Sequence, residues 1–157
     1  MYKPIDELDF WKNRIETAQK EQYSVYVAND KLWKNILESH LEITGKLIAL
    51  GDTVLDAGCG YGRMSEYFQR YTGIDFSPDF IKKAKKKYPN KNFMVGNLKE
   101  LPFEDGVFDW AMCVSIKKMV IDNLGDGEWL KMLKELKRVS KKVLILEYED
   151  PKPYEIL

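Results

Sequence analysis

Val54-Leu55-Asp56-Ala57-Gly58-Cys59-Gly60-Tyr61-Gly62 decides how this chain folds. An apolar run enters three alternating glycines and then a stretch with Met64, Phe68 and Tyr71 at helical spacing. That is the pattern of a buried strand, a tight turn and a helix. Glycines let the backbone turn sharply and let a ligand approach it closely. Asp56 stands at the C-terminal end of the strand, where open α/β sheets bind their ligands. A carboxylate there repels a pyrophosphate and attracts an ammonium or a sulfonium. The third glycine also comes one residue too early for Gly-x-Gly-x-x-Gly. A cationic, nucleotide-like ligand therefore fits this turn better than a dinucleotide.

Outward from the turn, strand and helix patterns alternate. Thr53–Ala57, Tyr71–Asp75, Asn92–Val95, Phe108–Ser115 and Val143–Tyr148 read as strands. Phe108–Ser115 is apolar almost throughout, as a central parallel strand should be. Ser77-Pro78-Asp79 is a helix start, with a capping hydroxyl, a proline suited to the first turn and an acid at the positive end of the dipole. Ile81, Ala84 and Tyr88 form the inner face of that helix, and Trp129, Leu133, Leu136 and Val139 stripe another. The alternation predicts a three-layer α/β sandwich, with a mostly parallel Rossmann-like sheet of about five strands in the order 3-2-1-4-5. Two helices, one behind Asp6 and one from near Asn29 to about Gly45, precede it as an N-terminal cap. Residues 1–157 read as one domain, 1–44 the cap and 45–150 the ligand-binding core.

Composition narrows the function. With 25 basic and 25 acidic residues the formal net charge is zero, which gives no polyanion signal. The lysines from Lys82 to Lys91 occupy the non-apolar positions of one helix and read as a solvated face, so nucleic acid is not expected as a partner. Cys59 and Cys113 are the only cysteines and read as free thiols in a reducing compartment. They are too few for a metal site, so no metal is expected. No apolar run approaches the roughly 18 residues of a membrane span, and the first residues carry no apolar signal region. The expectation is a cytoplasmic protein.

Asp75 lies 19 residues after Asp56, at the end of the next strand. An acid about that far on binds ribose hydroxyls in nucleotide-binding α/β folds. Phe76 can lie against a base, and the polar Asn97 with the apolar Leu98 can meet an adenine edge and face.

Val54–Gly62, the strand ending in Asp75, the Gly96-Asn97-Leu98 turn and the run Leu101-Pro102-Phe103-Glu104-Asp105-Gly106-Val107-Phe108-Asp109 together resemble class I S-adenosylmethionine-dependent methyltransferases of the small-molecule-type branch, over roughly residues 45–148. The resemblance implies S-adenosylmethionine as cofactor and a small-molecule methyl acceptor. It implies that Asp56, Ala57, Gly58, Cys59, Gly60 and Gly62 hold the methionine part of the cofactor and that Asp75 binds the ribose diol. It further implies that Asn97 and Leu98 face the adenine, and that Cys113 and Ser115 lie near the sulfonium. Asn97 stands where the family usually has Asp, which removes charge assistance from the adenine contact. No catalytic base is assigned. A protein that binds the cofactor without transferring a methyl, and a methyltransferase acting on protein or nucleic acid, are the alternatives.

His40, Tyr26 and Trp33 read by default as core residues, with a contact to substrate as their functional reading. Lys117 is either a surface lysine or an attractant for an anionic substrate. Compared with the family's seven strands the chain lacks a final β-hairpin, and Pro151 and Pro153 make its tail a poor sheet partner. That would leave the Val143–Leu146 edge open, covered either by a second copy of the chain or by the N-terminal helices.

Overall fold

A computed structural model describes residues 30–147 and 154–157. The chain divides into two compact units, Met1–Ala49 and Leu50–Leu157. In the first, α1 runs from Asp30 to Leu47 and passes through Gly45, where a break was expected. Ile36, His40 and Thr44 are buried along it at four-residue intervals, one face of a helix. The expected helix behind Asp6, Tyr26 and the side chain of Trp33 lie outside the described residues.

The second unit is built on a six-stranded sheet. Its strands are β1 (Thr53–Ala57), β2 (Arg70–Asp75), β3 (Asn92–Val95), β4 (Phe108–Val114), β5 (Ser140–Leu146) and β6 (Tyr154–Ile156), in the spatial order 3-2-1-4-5-6. The first five run parallel, and β6 runs antiparallel to β5. Helix α2 (Pro78–Lys87) links β2 to β3, and α3 (Lys117–Leu124) and α4 (Asp126–Val139) link β4 to β5. The two crossovers step in opposite directions from the centre, so their common right-handedness sets α2 and α4 on opposite faces. Val54, Leu55 and Ala57 of β1 have no exposed surface, as a central strand covered on both sides requires. Trp129, Met132, Leu136 and Val139 of α4 pack with Ala111 and Cys113 of β4 and with Val143 and Ile145 of β5.

Four expectations need correction. After the glycines there is no α-helix, only turns and a single 3-10 turn at Ser65–Tyr67. Gly58, Gly60 and Gly62 hold φ of 79°, 51° and 75°, so the backbone is drawn three times into the left-handed region before β2 starts at Arg70. Tyr71, counted in the stripe of that helix, lies in β2. Second, α3 was not anticipated. Val120, its one buried residue, has no exposed surface and anchors it, and Gly125 at φ 95° ends it. Third, β5 begins at Ser140, because α4 runs directly into the strand and the Ser140 hydroxyl donates to the Leu136 carbonyl at 2.7 Å.

The fourth correction concerns the sheet edge. The sheet has six strands, not five. Tyr154–Ile156 contains no proline and pairs with Leu144–Leu146, and Val143 and Leu157 exchange backbone hydrogen bonds at 2.9 Å. The open β5 edge is therefore covered by the chain itself, and the case for pairing two copies through it loses its premise.

Candidate cofactor site

Five parallel strands end at one edge of the sheet, and the polar groups gather there. Asp56 is the penultimate residue of β1 and is 2% exposed. Its Oδ2 accepts from the phenol of Tyr71 at 2.7 Å. Its Oδ1 is buried and has no hydrogen-bond partner. Burial pushes this carboxyl up to about 6, against the Tyr71 hydrogen bond and the charge of Arg63, while the Asp75 charge adds to the rise. Burial also lowers the Arg63 guanidinium to about 10, with Asp56 opposing.

Asp75 closes β2 and ties the turn in place. Its Oδ2 accepts from the Gly60 amide and its Oδ1 from the Ser77 amide, both at 2.9 Å. The amides of Gly58 and Cys59 donate to the Ile74 carbonyl at 2.8 and 3.1 Å, and that of Gly62 to the Cys59 carbonyl at 2.8 Å. The amides of Gly58, Cys59, Gly60 and Gly62 thus donate within the chain. A phosphate cradle needs such amides pointing at the ligand. This turn instead offers carboxylate oxygens, one of them unpartnered. A buried acceptor without a donor is destabilising by roughly 1–3 kcal/mol, and a ligand cation would relieve it. A Cβ on Gly58 would stand 2.8 Å from Ile116 Cδ1, so the turn passes directly beneath that side chain. A buried anionic acceptor beside a close-fitting glycine suits a cationic ligand and does not suit a pyrophosphate.

The remaining candidates fall unevenly. Ala57 is fully buried and Phe76 half-buried. Asn97 is exposed, and its Oδ1 already accepts from the Lys99 amide at 2.9 Å, whereas Leu98 is buried. Cys113 has its thiol in the core with Ala111 and Ile145, and Cys59 is buried against Gly73; burial holds both thiols well above their usual range, so both are neutral. Ser115 sits just past β4 at φ 57°, the only non-glycine residue with positive φ among those described. Lys117 is in an ion pair with Glu155 of β6 at 2.6 Å. His40 is buried on α1, in the first unit. Two lysines of the basic helix lie over aromatic rings, Lys83 on Tyr61 and Lys87 on Tyr88.

Three groups at this edge escaped the sequence reading. Tyr71 and Arg63 act on Asp56. Glu147 directly follows β5, half-buried, and its Oε1 accepts from the Lys118 amide at 3.2 Å. Burial raises its carboxyl, against the amides of Lys118 and Lys117. Setting the strand end at Leu146 instead of Tyr148 would have put Glu147 at the edge where ligands bind.

Residues 55–145 match the methyltransferase domain model. This chain belongs to the methyltransferase-domain family. The match runs from β1 into β5 and so contains Asp56, the glycine turn and Asp75. An uncharacterized protein of Methanocaldococcus jannaschii is 38% identical over 107 residues, 65% of this chain and 41% of that protein. A phthiotriol/phenolphthiotriol dimycocerosates methyltransferase of Mycobacterium ulcerans is 29% identical over 73% of this chain and 41% of its own length. The crystal structure of a SAM-dependent methyltransferase from Methanosarcina mazei is 26% identical, covers 66% of this chain and 55% of that one, and superposes with a TM-score of 0.58. This methyltransferase domain spans about half the length, or less, of the curated relatives it matches. Among its described residues no helix is long and apolar enough to cross a membrane.

Asp75 gives a prediction that reaches beyond ligand binding. Asp75→Ala removes an acceptor from two backbone amides, one of them in the turn. Bonds to charged groups contribute roughly 1.5–3 kcal/mol each. The ligand-free variant should lose about 2 kcal/mol or more in urea unfolding. An unchanged urea midpoint would show that Asp75 does not hold the turn.

Proposed function

We propose that this chain binds S-adenosylmethionine at the C-terminal edge of its sheet and transfers the methyl group to a small-molecule acceptor. The carrying observation is the Gly58–Gly62 turn, whose amides are engaged within the chain while the buried Asp56 Oδ1 lacks a partner. When bound, the cofactor supplies a methyl on a positively charged sulfur, open to in-line displacement. In this reading Asp56 accepts from the ammonium of the methionine part. Asp75 accepts from the ribose hydroxyls, an ionised carboxylate having about four acceptor positions. Gly58, Cys59, Gly60 and Gly62 bring the backbone close, and Phe76 and Leu98 supply apolar surface for the adenine. Ser115, left-handed at the mouth of β4, borders the acceptor. Catalysis is by positioning, which can contribute roughly 7–11 kcal/mol. Neither neutral thiol serves as a base. The small-molecule acceptor is supported by the name of the mycobacterial relative, and the full activity by family membership.

One observation favours a second reading, binding without turnover. The Asn97 Oδ1, expected on the adenine amine, is occupied by the Lys99 amide. Calorimetry with S-adenosylhomocysteine, followed by product formation against a panel of metabolites, tests both. Saturable binding with a methylated product is the expected result. Binding with no product across the panel selects the second reading. Uptake of a nicotinamide or flavin nucleotide in preference to the adenosyl compound would overturn both.

A further inference from the structure

On the face of the sheet that carries Asp56, β2 contributes Tyr71, Gly73 and Asp75 at alternate positions. The register sets Asp56 opposite Gly73 and Val54 opposite Tyr71. Tyr71 therefore starts two residues below the carboxylate it bonds, and its ring must pass over Gly73. A side chain there would close the passage. A Cβ on Gly73 would lie 2.9 Å from Tyr71 Oη, 2.9 Å from Cys59 Sγ and 2.8 Å from Phe93 Cδ1. The ring is held from both sides, stacked on Phe68 at 6.5 Å between centroids and edge-on to Phe93 at 5.7 Å. A buried phenol needs a polar partner. This one has Asp56 Oδ2 at 2.7 Å, with the ring only 3% exposed.

The same carboxylate keeps Oδ1 without a partner. We propose that Tyr71 is a positioning residue for ligand binding: its hydroxyl fixes one oxygen of Asp56 and leaves the other as the acceptor for the ammonium of an adenosyl amino acid. The inference rests on the reading that such a ligand binds here. It adds the group that orients the acid and makes its charge available. The hydrogen bond favours the ionised carboxyl, burial and Asp75 oppose it, and Arg63 supports it. Cys59, packed against Gly73 beside the phenol, is neutral and adds no charge. Tyr71 thus sets the pH above which Asp56 attracts a cation.

Tyr71→Phe in the full chain tests this. In the wild type, affinity for S-adenosylhomocysteine should fall as pH drops from 7.5 through about 6, where Asp56 takes up a proton. In Tyr71→Phe the midpoint of that fall should move up by on the order of one pH unit. The affinity loss should be several-fold near pH 6.5 and small at pH 7.5. 5′-Methylthioadenosine, which has no ammonium, should bind the two proteins with the same pH dependence. A purely structural tyrosine would weaken both compounds equally at every pH, and that outcome overturns the proposal. Carbon-13 carboxyl titration of Asp56 in the ligand-free proteins gives an independent reading. An unshifted Asp56 midpoint in Tyr71→Phe overturns the proposal even if no adenosyl compound binds, whereas absent binding in the wild type overturns only the functional reading. If Tyr71→Phe does not fold, Asp56→Asn replaces it. That variant should bind S-adenosylhomocysteine with no midpoint near pH 6, and a retained midpoint overturns the proposal.

Discussion

Asp56→Asn weakens S-adenosylhomocysteine binding at pH 7.5 by about tenfold to a hundredfold and removes a loss of stability that the wild type undergoes as pH rises through about 6. The first effect follows from losing a charge-assisted bond to an ammonium, roughly 1.5–3 kcal/mol. The second follows from burial. In the folded protein the Asp56 carboxyl titrates at about 6, against 3.8 for an unperturbed aspartate. The fold therefore holds this proton more tightly than the unfolded chain does. Its contribution to stability is complete below pH 3.8 and is lost as pH rises through about 6. The loss is on the order of 3 kcal/mol, from about two pKa units at 1.36 kcal/mol each. Glu128, Glu135 and Asp109 are shifted the other way by their lysine, arginine and backbone partners. They act alike in wild type and variant, so the difference between the two curves isolates Asp56. Urea unfolding of ligand-free protein from pH 4 to 7.5 should show the variant gaining on the wild type as pH rises. Parallel curves would mean that Asp56 is not buried as an ion. If the gain is found together with weakened binding, the chain accepts a less stable apo state in order to hold a charge where its ligand binds.

How much of this was legible depends on how local the cause is. The Asn92–Val95 strand coincides with its sequence reading because its limits lie in four residues and their neighbours. The α2 start was equally readable: Ser77 Oγ accepts from the Phe80 amide at 3.3 Å, as a capping hydroxyl should. The run Leu101–Asp109 could be matched to a family but not explained, because its anchor is distant. Arg138 of α4 donates to the carbonyls of Leu101 and Phe103 and to Asp105, each at 2.8–2.9 Å. Tyr71 shows the same limit at the site. Its spacing suits a helical stripe and a strand start equally, and only the register of β1 against β2 aims it at Asp56. Asn97 was read as facing outward to a ligand, but an Asn at a turn tends to bond its own backbone two residues on, and this one does. The sheet edge was misjudged for a related reason. Pro151 and Pro153 make much of the tail a poor sheet partner, but they precede Tyr154–Ile156, the residues that pair.

The glycine turn, readable as a motif, owes one of its requirements to a contact that no motif contains, and Gly62→Ala should therefore be more destabilising than Gly58→Ala. Two penalties add. At φ 75° a Cβ brings left-handed strain of about 1–2 kcal/mol. It would also stand 2.5 Å from Phe93 Cζ and 2.6 Å from Cε1. That ring is 6% exposed and enclosed by Tyr71 and Tyr88, so it has little room to retreat, and overpacking of this kind costs about 1–3 kcal/mol. The sum, about 2–5 kcal/mol, is a large share of the roughly 5–15 kcal/mol that holds a domain. Gly106→Ala separates the two terms, because Gly106 has φ 63° and nothing within 4 Å of an added Cβ, and it should show the backbone strain alone. Gly58→Ala meets the outer atoms of Ile116, a flexible side chain that can turn aside, and should fall between them. Phe93→Leu placed on Gly62→Ala should recover part of the loss, since the shorter side chain gives back the space that the methyl takes. Urea midpoints for the single and double variants measure the coupling. If Gly62→Ala is no worse than Gly106→Ala, or if Phe93→Leu merely adds its own cost, then backbone conformation alone selects glycine here and the aromatic contact is incidental.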